Sequence, residues 1–160
     1  FARMPKPIFR NNDLIILIKD NIRLLKELDP SIEILFTTNV EQTFFESDKE
    51  QLSRVFFNLI KNSIESIQQK AEKNTKFSKK ISIEINDNND HIKITLIDSG
   101  IGFNNLDNNI NEILSPYFTT KKNGTGLGLS IVNKIINDHN GELSFFSIID
   151  GAKIEIDLKS

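Results

Sequence analysis

Three glycines at alternate positions, Gly124, Gly126 and Gly128, stand between two lysines and a long segment with helical apolar periodicity. Glycine is required where the backbone takes a positive φ or approaches another group closely. A glycine-rich turn that opens into a helix points several unpaired N–H groups, and the positive end of the helix dipole, at one spot. The stretch therefore predicts a phosphate-binding turn before a helix. A flexible loop that precedes a helix is the alternative.

The order of residues around these glycines excludes two named phosphate motifs. A P-loop closes with Gly-Lys-Ser/Thr, whereas Lys121 and Lys122 precede the glycines here. The dinucleotide-binding fingerprint needs G-x-G-x-x-G after a strand, and this chain has G-x-G-x-G after a polar loop. The stretch alone therefore indicates phosphate and no particular class of protein.

The bulk properties favour one soluble domain. A chain of 160 residues fits a single core, and a net charge of −2 argues against a general nucleic-acid binder. Because there is no cysteine, disulfides, thiolate metal sites and cysteine nucleophiles are excluded. No apolar run approaches the roughly 20 residues of a membrane span, so we expect a cytoplasmic domain. The chain begins at Phe1 without an initiator methionine, which indicates an excised piece of a longer protein.

Hydrophobic periodicity predicts the order helix, two strands, helix, hairpin, lid, helix and hairpin, which is an α+β fold with helices on one face of a mixed sheet. The predicted helices cover 13–28, 48–70 and 127–139, and the alternating segments lie at 32–36, 43–46, 81–85, 92–97 and after 141. The sequence from Ser47 to Glu50 predicts a capping box, and Asn140-Gly141 predicts a glycine helix end. Residues 71–79 are interpreted as a solvated loop.

Polar residues on the second helix are the next candidates for a site. On a wheel of about 100° per residue, Asn58, Asn62 and Glu65 fall together, opposite a broad apolar side. Such a face can simply be solvated. The functional alternative is an oxygen ligand for Mg²⁺, a hard ion that keeps several waters and shares phosphate oxygens.

A carboxylate flanked by glycines follows the strand that ends at Ile97. Asp98 can accept a hydrogen bond from an exocyclic amine, and Gly100 and Gly102 would let a flat ring lie against the backbone. The alternative is an Asx-turn that closes the strand. Five of the seven glycines lie in this segment and in the one after Lys122, which weakens the purely structural interpretation of both.

Taken together, four segments resemble the boxes of the histidine-kinase ATP-binding domain, and they occur in that family's order. They are the N box from Asn58 to Asn62, the first glycine box from Asp98 to Gly102, the F box from Pro116 to Lys121 and the second glycine box from Gly124 to Leu129. The opening residues, 1–12, resemble the junction that precedes this domain in nitrogen-regulation sensor kinases of the NtrY type. We therefore expect a junction over 1–12 and the catalytic domain over 13–160.

The resemblance implies a two-layer Bergerat α/β sandwich with a mobile ATP lid, and it implies roles for individual residues. Asp98 would bind the adenine amino group beside Gly100 and Gly102. Asn62 would ligate Mg²⁺, and Asn58 would lie near the phosphates as the second catalytic asparagine. The remaining nucleotide contacts would be Phe118, Thr119, Lys121, Gly124, Thr125, Gly126, Leu127, Gly128 and Leu129.

The implied activity is that of a protein-histidine kinase with ATP and Mg²⁺. The γ-phosphate would pass to a histidine on a separate dimerisation domain, and through that domain to a response regulator. Since the acceptor-histidine box is missing from this sequence, we expect ATP binding without autophosphorylation. The complete protein would be anchored in the inner membrane.

Three other functions stay open at this point. A hydrolytic ATPase switch of the gyrase or Hsp90 kind is disfavoured because those relatives carry a glutamate where this helix has Asn58, and an amide cannot take a proton from water. An anti-sigma serine kinase shares the fold but not the opening segment. A degenerate nucleotide-binding or interaction module is disfavoured because such a module would have lost one of the four boxes, and all four are intact here.

Overall fold

The computed structural model describes residues 5–103 and 128–159, which form two layers, a five-stranded sheet and a set of helices. In the described part of the chain the helices are α1 (Leu14–Leu25), α2 (Lys49–Ala71) and α3 (Gly128–Asp138), with a 3₁₀ turn at Lys26–Leu28. The strands are β1 (Arg10–Asp13), β2 (Glu33–Thr38), β3 (Phe44–Ser47), β4 (Lys80–Asp87), β5 (His91–Asp98), β6 (Glu142–Ile148) and β7 (Gly151–Lys159). No helix among these residues is long and apolar enough to cross a membrane.

The large sheet has the order β2-β4-β5-β7-β6 and is mixed, as predicted. β2 runs parallel to β4, and the other neighbours are antiparallel. Alternation explains the layering, because Ile81, Ile83 and Ile85 of β4 and the alternate apolar residues of β5 and β7 are buried. α2 packs against both α1 and α3 on that face. The predicted α+β fold is confirmed, whereas the predicted lid lies outside the described residues.

The first turn of α2 differs from the predicted capping box by one residue. Asp48 is the N-cap, and its Oδ1 accepts a hydrogen bond of 3.0 Å from the Gln51 N–H. Ser47 is fully buried, and its hydroxyl donates to the carbonyl of Phe45 at 2.8 Å. The serine therefore closes the end of β3, and the aspartate satisfies the free N–H groups of the helix.

The carboxylate of Asp48 also binds the opening segment. The N–H of Ile8 donates to its Oδ2 at 2.8 Å, and the side-chain amide of Gln51 donates to the carbonyl of Pro5 at 3.1 Å. Residues 10–12, predicted as part of the junction, and Asp13, predicted to begin the first helix, form β1 and pair antiparallel with β3. These contacts hold residues 5–13 on the body of the domain.

Replacing Asp48 by alanine is expected to lower the free energy of unfolding at pH 7 by about 1 kcal/mol, because the helix loses its cap. Burial alone would raise the pKa of Asp48, but the N–H groups of Ile8, Gln51 and Glu50 outweigh it and lower that pKa. A carboxyl with a lowered folded-state pKa stabilises the fold above the unfolded value of about 3.9 and loses that contribution as the pH falls through the folded-state pKa.

Urea unfolding of the wild type and Asp48→Ala from pH 7 downward measures this effect. The stability difference should shrink below about pH 4. Glu50→Ala, which removes an exposed carboxylate from the same helical turn, serves as the control and should change stability by less. A difference between wild type and Asp48→Ala that is constant across the pH range would contradict the cap assignment.

The C-terminal end of α3 is closed by Asn140 rather than by the predicted glycine. Asn140 has a φ of 59°, and the N–H of Gly141 donates to the carbonyl of Ile136 at 2.9 Å. The left-handed conformation of Asn140 and this 6→1 hydrogen bond are the two features of a Schellman motif. Asparagine tolerates this conformation better than other non-glycine residues do.

The residue before Asn140, His139, is buried and ties α3 to α2. Its Nε2 accepts a hydrogen bond of 3.1 Å from the N–H of Asp48, so its Nδ1 carries the proton and donates to the carbonyl of Ile135 at 2.7 Å. Phe9 packs edge-on against the ring, with 5.0 Å between centroids. The histidine therefore joins three parts of the chain.

Candidate nucleotide-binding site

Asp98 is the last residue of β5 and is only 5% exposed. Its Oδ2 accepts a hydrogen bond of 2.7 Å from the hydroxyl of Ser63 on α2. Its Oδ1 accepts one of 2.9 Å from the N–H of Gly100. The second bond is the Asx-turn that the sequence offered as an alternative. It does not exclude a binding role, because a carboxylate has about four acceptor positions.

The buried environment of Asp98 changes the pKa of its carboxyl group. Burial raises the pKa of Asp98, while the Ser63 hydroxyl, the Gly100 N–H and the charge of Lys70 oppose that shift. The balance is a pKa above the ordinary value, which is typical of desolvated carboxyls in binding sites. A donor from a ligand would therefore meet an acceptor that is poorly solvated and held in one orientation.

The glycines after Asp98 are required by close packing. A Cβ on Gly100 would lie 2.1 Å from the Ser66 Oγ and 2.9 Å from the backbone carbonyl carbon of Ser66. Gly102 has a φ of +73°, and its Cβ would lie 2.6 Å from the carbonyl oxygen of Gly151. The loop therefore meets α2 at Gly100 and the start of β7 at Gly102, and neither position has room for a side chain.

Asn62, on the asparagine face of α2, lies beside the start of α3. Asn58 and Asn62 are half-buried, one helical turn apart. A Cβ on Gly128, the first residue of α3, would lie 4.0 Å from the Asn62 Nδ2. Leu129 is half-buried and packs against the hydrophobic core. The structure thus brings together residues from the predicted N box and second glycine box.

The other residues of the predicted face and boxes are distributed as follows. Glu65 is half-buried, while Arg54 and Lys61 are exposed, and the Lys61 ammonium lies 5.9 Å from the centre of the Phe57 ring. The remaining predicted nucleotide contacts lie outside the described residues: Phe118, Thr119, Lys121, Gly124, Thr125, Gly126 and Leu127.

Sequence reasoning missed a second polar stripe on α2, formed by Ser63, Ser66 and Lys70. Besides the bond from Ser63 to Asp98, the Ser66 Oγ accepts from the Ile101 N–H at 2.9 Å, and the Lys70 ammonium donates to the Ser99 carbonyl at 2.9 Å. All three side chains therefore hold the loop at 98–101.

A sequence signal for this stripe existed. The spacings of three and four place the three polar residues within about 60° of one another, on the side of the helix that is otherwise apolar. Polar residues on a core-facing side need partners, and here the glycine box provides them.

The loop after α2, predicted to be solvated, packs partly against the core. Phe77 is half-buried against the core, and the Lys70 ammonium lies 4.5 Å from the centre of its ring. The aromatic ring fixes the position of the lysine that binds Ser99. The interpretation of residues 71–79 as merely solvated is therefore wrong for Phe77.

Comparisons with known proteins agree with this geometry. The family model described as histidine kinase-, DNA gyrase B- and HSP90-like ATPase matches residues 47–160. The chain is 37% identical over 162 residues to an NtrY-like sensor histidine kinase of Rickettsia felis, covering 99% of this chain and 26% of that protein. It is 31% identical over 163 residues to the nitrogen regulation protein NtrY of Azorhizobium caulinodans, covering 100% of this chain and 20% of that protein.

A solved structure extends the comparison to the fold. The nucleotide-free catalytic domain of histidine kinase ThkA has a TM-score of 0.80 to this chain at 30% identity, with 95% of both chains covered. ThkA has also been solved in complex with the response regulator TrrA. The chain spans only a fifth to about a quarter of the length of the two NtrY-type relatives. By sequence and by fold, the chain belongs to the family of histidine kinase-, DNA gyrase B- and HSP90-like ATPases, as a catalytic domain of the histidine-kinase kind.

Proposed function

We propose that this domain binds ATP with Mg²⁺ and donates the γ-phosphate to a histidine on a separate dimerisation domain of the same kinase. The observation that carries the proposal is the buried Asp98 carboxylate, held by Ser63 and Gly100 at the end of β5. A desolvated acceptor beside a tightly packed glycine loop suits the exocyclic amine and flat ring of adenine.

The phosphates would extend from Asp98 toward the start of α3. Gly128 begins that helix, whose N-terminal N–H groups favour negative charge. Asn62 lies beside Gly128, so its amide oxygen fits a metal that bridges protein and phosphate. When bound, Mg²⁺ would neutralise charge on the phosphates. Asn58, one turn earlier on α2, would lie near the phosphates, and Leu129 would fix α3 on the core.

The remaining proposed contacts with the nucleotide come from the F box and the second glycine box. Phosphate contacts are assigned to Gly124, Gly126 and Gly128, and the flanking Thr125, Leu127, Phe118, Thr119 and Lys121 complete the proposed set. Phosphoryl transfer demands positioning and charge neutralisation more than covalent help from the protein, so this set needs no nucleophile.

A hydrolytic ATPase remains the principal alternative. It requires a base that can take a proton from water, and the position proposed for that base holds Asn58. Glu65 is half-buried on the same face, but seven residues along a helix correspond to about 10 Å. An amide at position 58 and a carboxylate two turns away support transfer to a protein acceptor better than hydrolysis. An anti-sigma serine kinase would share the same site and differ in its acceptor.

The wider setting follows from the relatives and is part of the proposal. A response regulator would receive the phosphoryl group through the dimerisation domain, by analogy with the complex solved for ThkA. We place the domain in the cytoplasm, within a sensor kinase of the NtrY type that is anchored in the inner membrane.

Titration calorimetry with ADP and a non-hydrolysable ATP analogue, with and without Mg²⁺, tests the proposed binding. We expect saturable binding in the micromolar to sub-millimolar range, tighter for the triphosphate with metal. Addition of radiolabelled ATP and a separately expressed histidine domain then tests transfer, with label expected on that domain. A folded protein that binds no nucleotide would instead support an interaction module. Steady phosphate release without label transfer would support the hydrolytic alternative.

Asn62→Ala is expected to remove most of the Mg²⁺ dependence of ATP-analogue binding, because the variant lacks the proposed metal ligand. ADP binding without metal should stay within about twofold, since Asp98 is untouched. Calorimetry with the analogue at several Mg²⁺ concentrations measures the change. Asn74→Ala, which alters an exposed amide beyond the end of α2, provides the control. A Mg²⁺ dependence equal to that of the wild type would remove Asn62 from the metal site.

A further inference from the structure

We propose that Ser63 is a positioning residue that makes the site select purines with a 6-amino group over purines with a 6-oxo group, by fixing the Asp98 carboxylate as a pure acceptor. The inference rests on the proposed function, because it presumes that Asp98 meets the purine. It concerns which base is accepted and which residue enforces the choice.

The geometry of the carboxylate carries the proposal. Ser63 lies on α2 and is 2% exposed, and its hydroxyl donates to the Asp98 Oδ2 at 2.7 Å. The Gly100 N–H donates to the Oδ1 at 2.9 Å. With one donor on each oxygen, the carboxylate cannot rotate without breaking a bond. Its remaining lone pairs are the positions left for a ligand.

Those lone pairs discriminate between the two kinds of purine. An exocyclic amine at position 6 donates a hydrogen to the carboxylate, whereas a 6-oxo group presents a second acceptor and repels it. A buried carboxyl could escape this rule by taking up a proton and donating it to the 6-oxo group. The Ser63 hydroxyl stabilises the ionised carboxylate by donating a hydrogen bond to it, and so disfavours this protonation.

Ser66 supplies the contrast within the same helix. It lies three residues after Ser63 and accepts a hydrogen bond from the Ile101 N–H at 2.9 Å. It therefore holds the same loop through the backbone of Ile101 rather than through the Asp98 carboxylate. If Ser63 merely held the loop, the two serines would have equivalent effects on nucleotide binding.

The test is the ratio of ADP affinity to IDP affinity, measured by calorimetry on the whole 160-residue chain. IDP carries an oxygen at position 6 of the base in place of the amine, and its neighbouring donor is the N1–H. We expect Ser63→Ala to lower the ratio about tenfold, through weaker ADP binding and unchanged or stronger IDP binding. Ser66→Ala should weaken ADP and IDP equally and leave the ratio as in the wild type. Ser63→Thr, which keeps the hydroxyl, should restore the ratio.

Each outcome decides the question. Alanine is the best helix former, so Ser63→Ala keeps the helix in place and remains measurable even if the extra methyl group of threonine disturbs packing. An unchanged ratio in Ser63→Ala, with ADP still bound by the wild type, overturns the inference and leaves the proposed function standing. Equal loss of both ligands in Ser63→Ala makes Ser63 a loop support and also overturns it. A wild type that binds neither ADP nor IDP overturns the proposed function itself.

Discussion

Asp98→Asn is expected to weaken ADP binding roughly 30- to 100-fold while preserving the fold, because hydrogen bonds to a buried charged group contribute strongly to binding. Asparagine has the same shape but one acceptor oxygen, whereas the carboxylate uses both oxygens for Ser63 and Gly100. The amide can satisfy one of these donors but must present its own hydrogens to the other or to the ligand. Alanine is the poorer choice, since it would leave both buried donors without their acceptor.

Calorimetry with ADP, together with thermal unfolding of the same samples, measures the effect. Asp90→Asn makes the same chemical change at an exposed carboxylate in the turn between β4 and β5, and it should bind ADP like the wild type. ADP affinity within threefold of the wild type in a folded Asp98→Asn variant would remove Asp98 from the adenine site.

Gly100→Ala is expected to destabilise the domain by about 2 kcal/mol, because the new methyl group has no space. Its carbon would lie 2.7 Å from the Ser66 Cβ as well as 2.9 Å from the Ser66 carbonyl carbon, so the helix backbone itself must move. For a domain of this size that corresponds to a fall of about 4–8 °C in the thermal midpoint. ADP binding should weaken as well, since the same shift displaces the loop that carries Asp98.

A double-mutant cycle with Ser66→Gly isolates the cause. The second substitution removes the Ser66 side chain and two of the three close contacts, while the contact with the backbone carbon persists. The loss of stability in the double variant should therefore be smaller than the sum of the two single losses. Additive losses would show that Gly100 is needed for some reason other than its contact with Ser66.

Much of the fold could be predicted because it is local. The isoleucines of β4 and β5 alternate with polar residues over a short turn, so each hairpin is encoded within about 20 residues. Asp98 and its glycines could also be singled out as a candidate site, because five of the seven glycines lie in two short segments. In both cases, the residues that determine the structure are neighbours in the sequence.

What the sequence could not reveal depends on distant partners. β1 is a four-residue strand whose partner β3 begins 31 residues after β1 ends, and nothing in Arg10–Asp13 alternates clearly. Ser63 and Ser66 stand out in the sequence only as polar residues on an otherwise apolar side of α2, and their partners in the glycine box lie 35 residues away. The cap of α2 moved from Ser47 to Asp48 because β3 runs one residue further than its alternation indicates.

Asp48 has a consequence for how the domain comes apart. Its backbone and side chain together close two large loops, one of 40 residues to Ile8 and one of 91 residues to His139. The entropy of closing a loop rises only slowly with its length, so both closures become favourable once the first turn of α2 is in place. Conversely, fraying of the first turn of α2 releases both the opening segment and the end of α3. The opening segment and the end of α3 are far apart in the sequence. They should nevertheless exchange their amide protons as one cooperative unit.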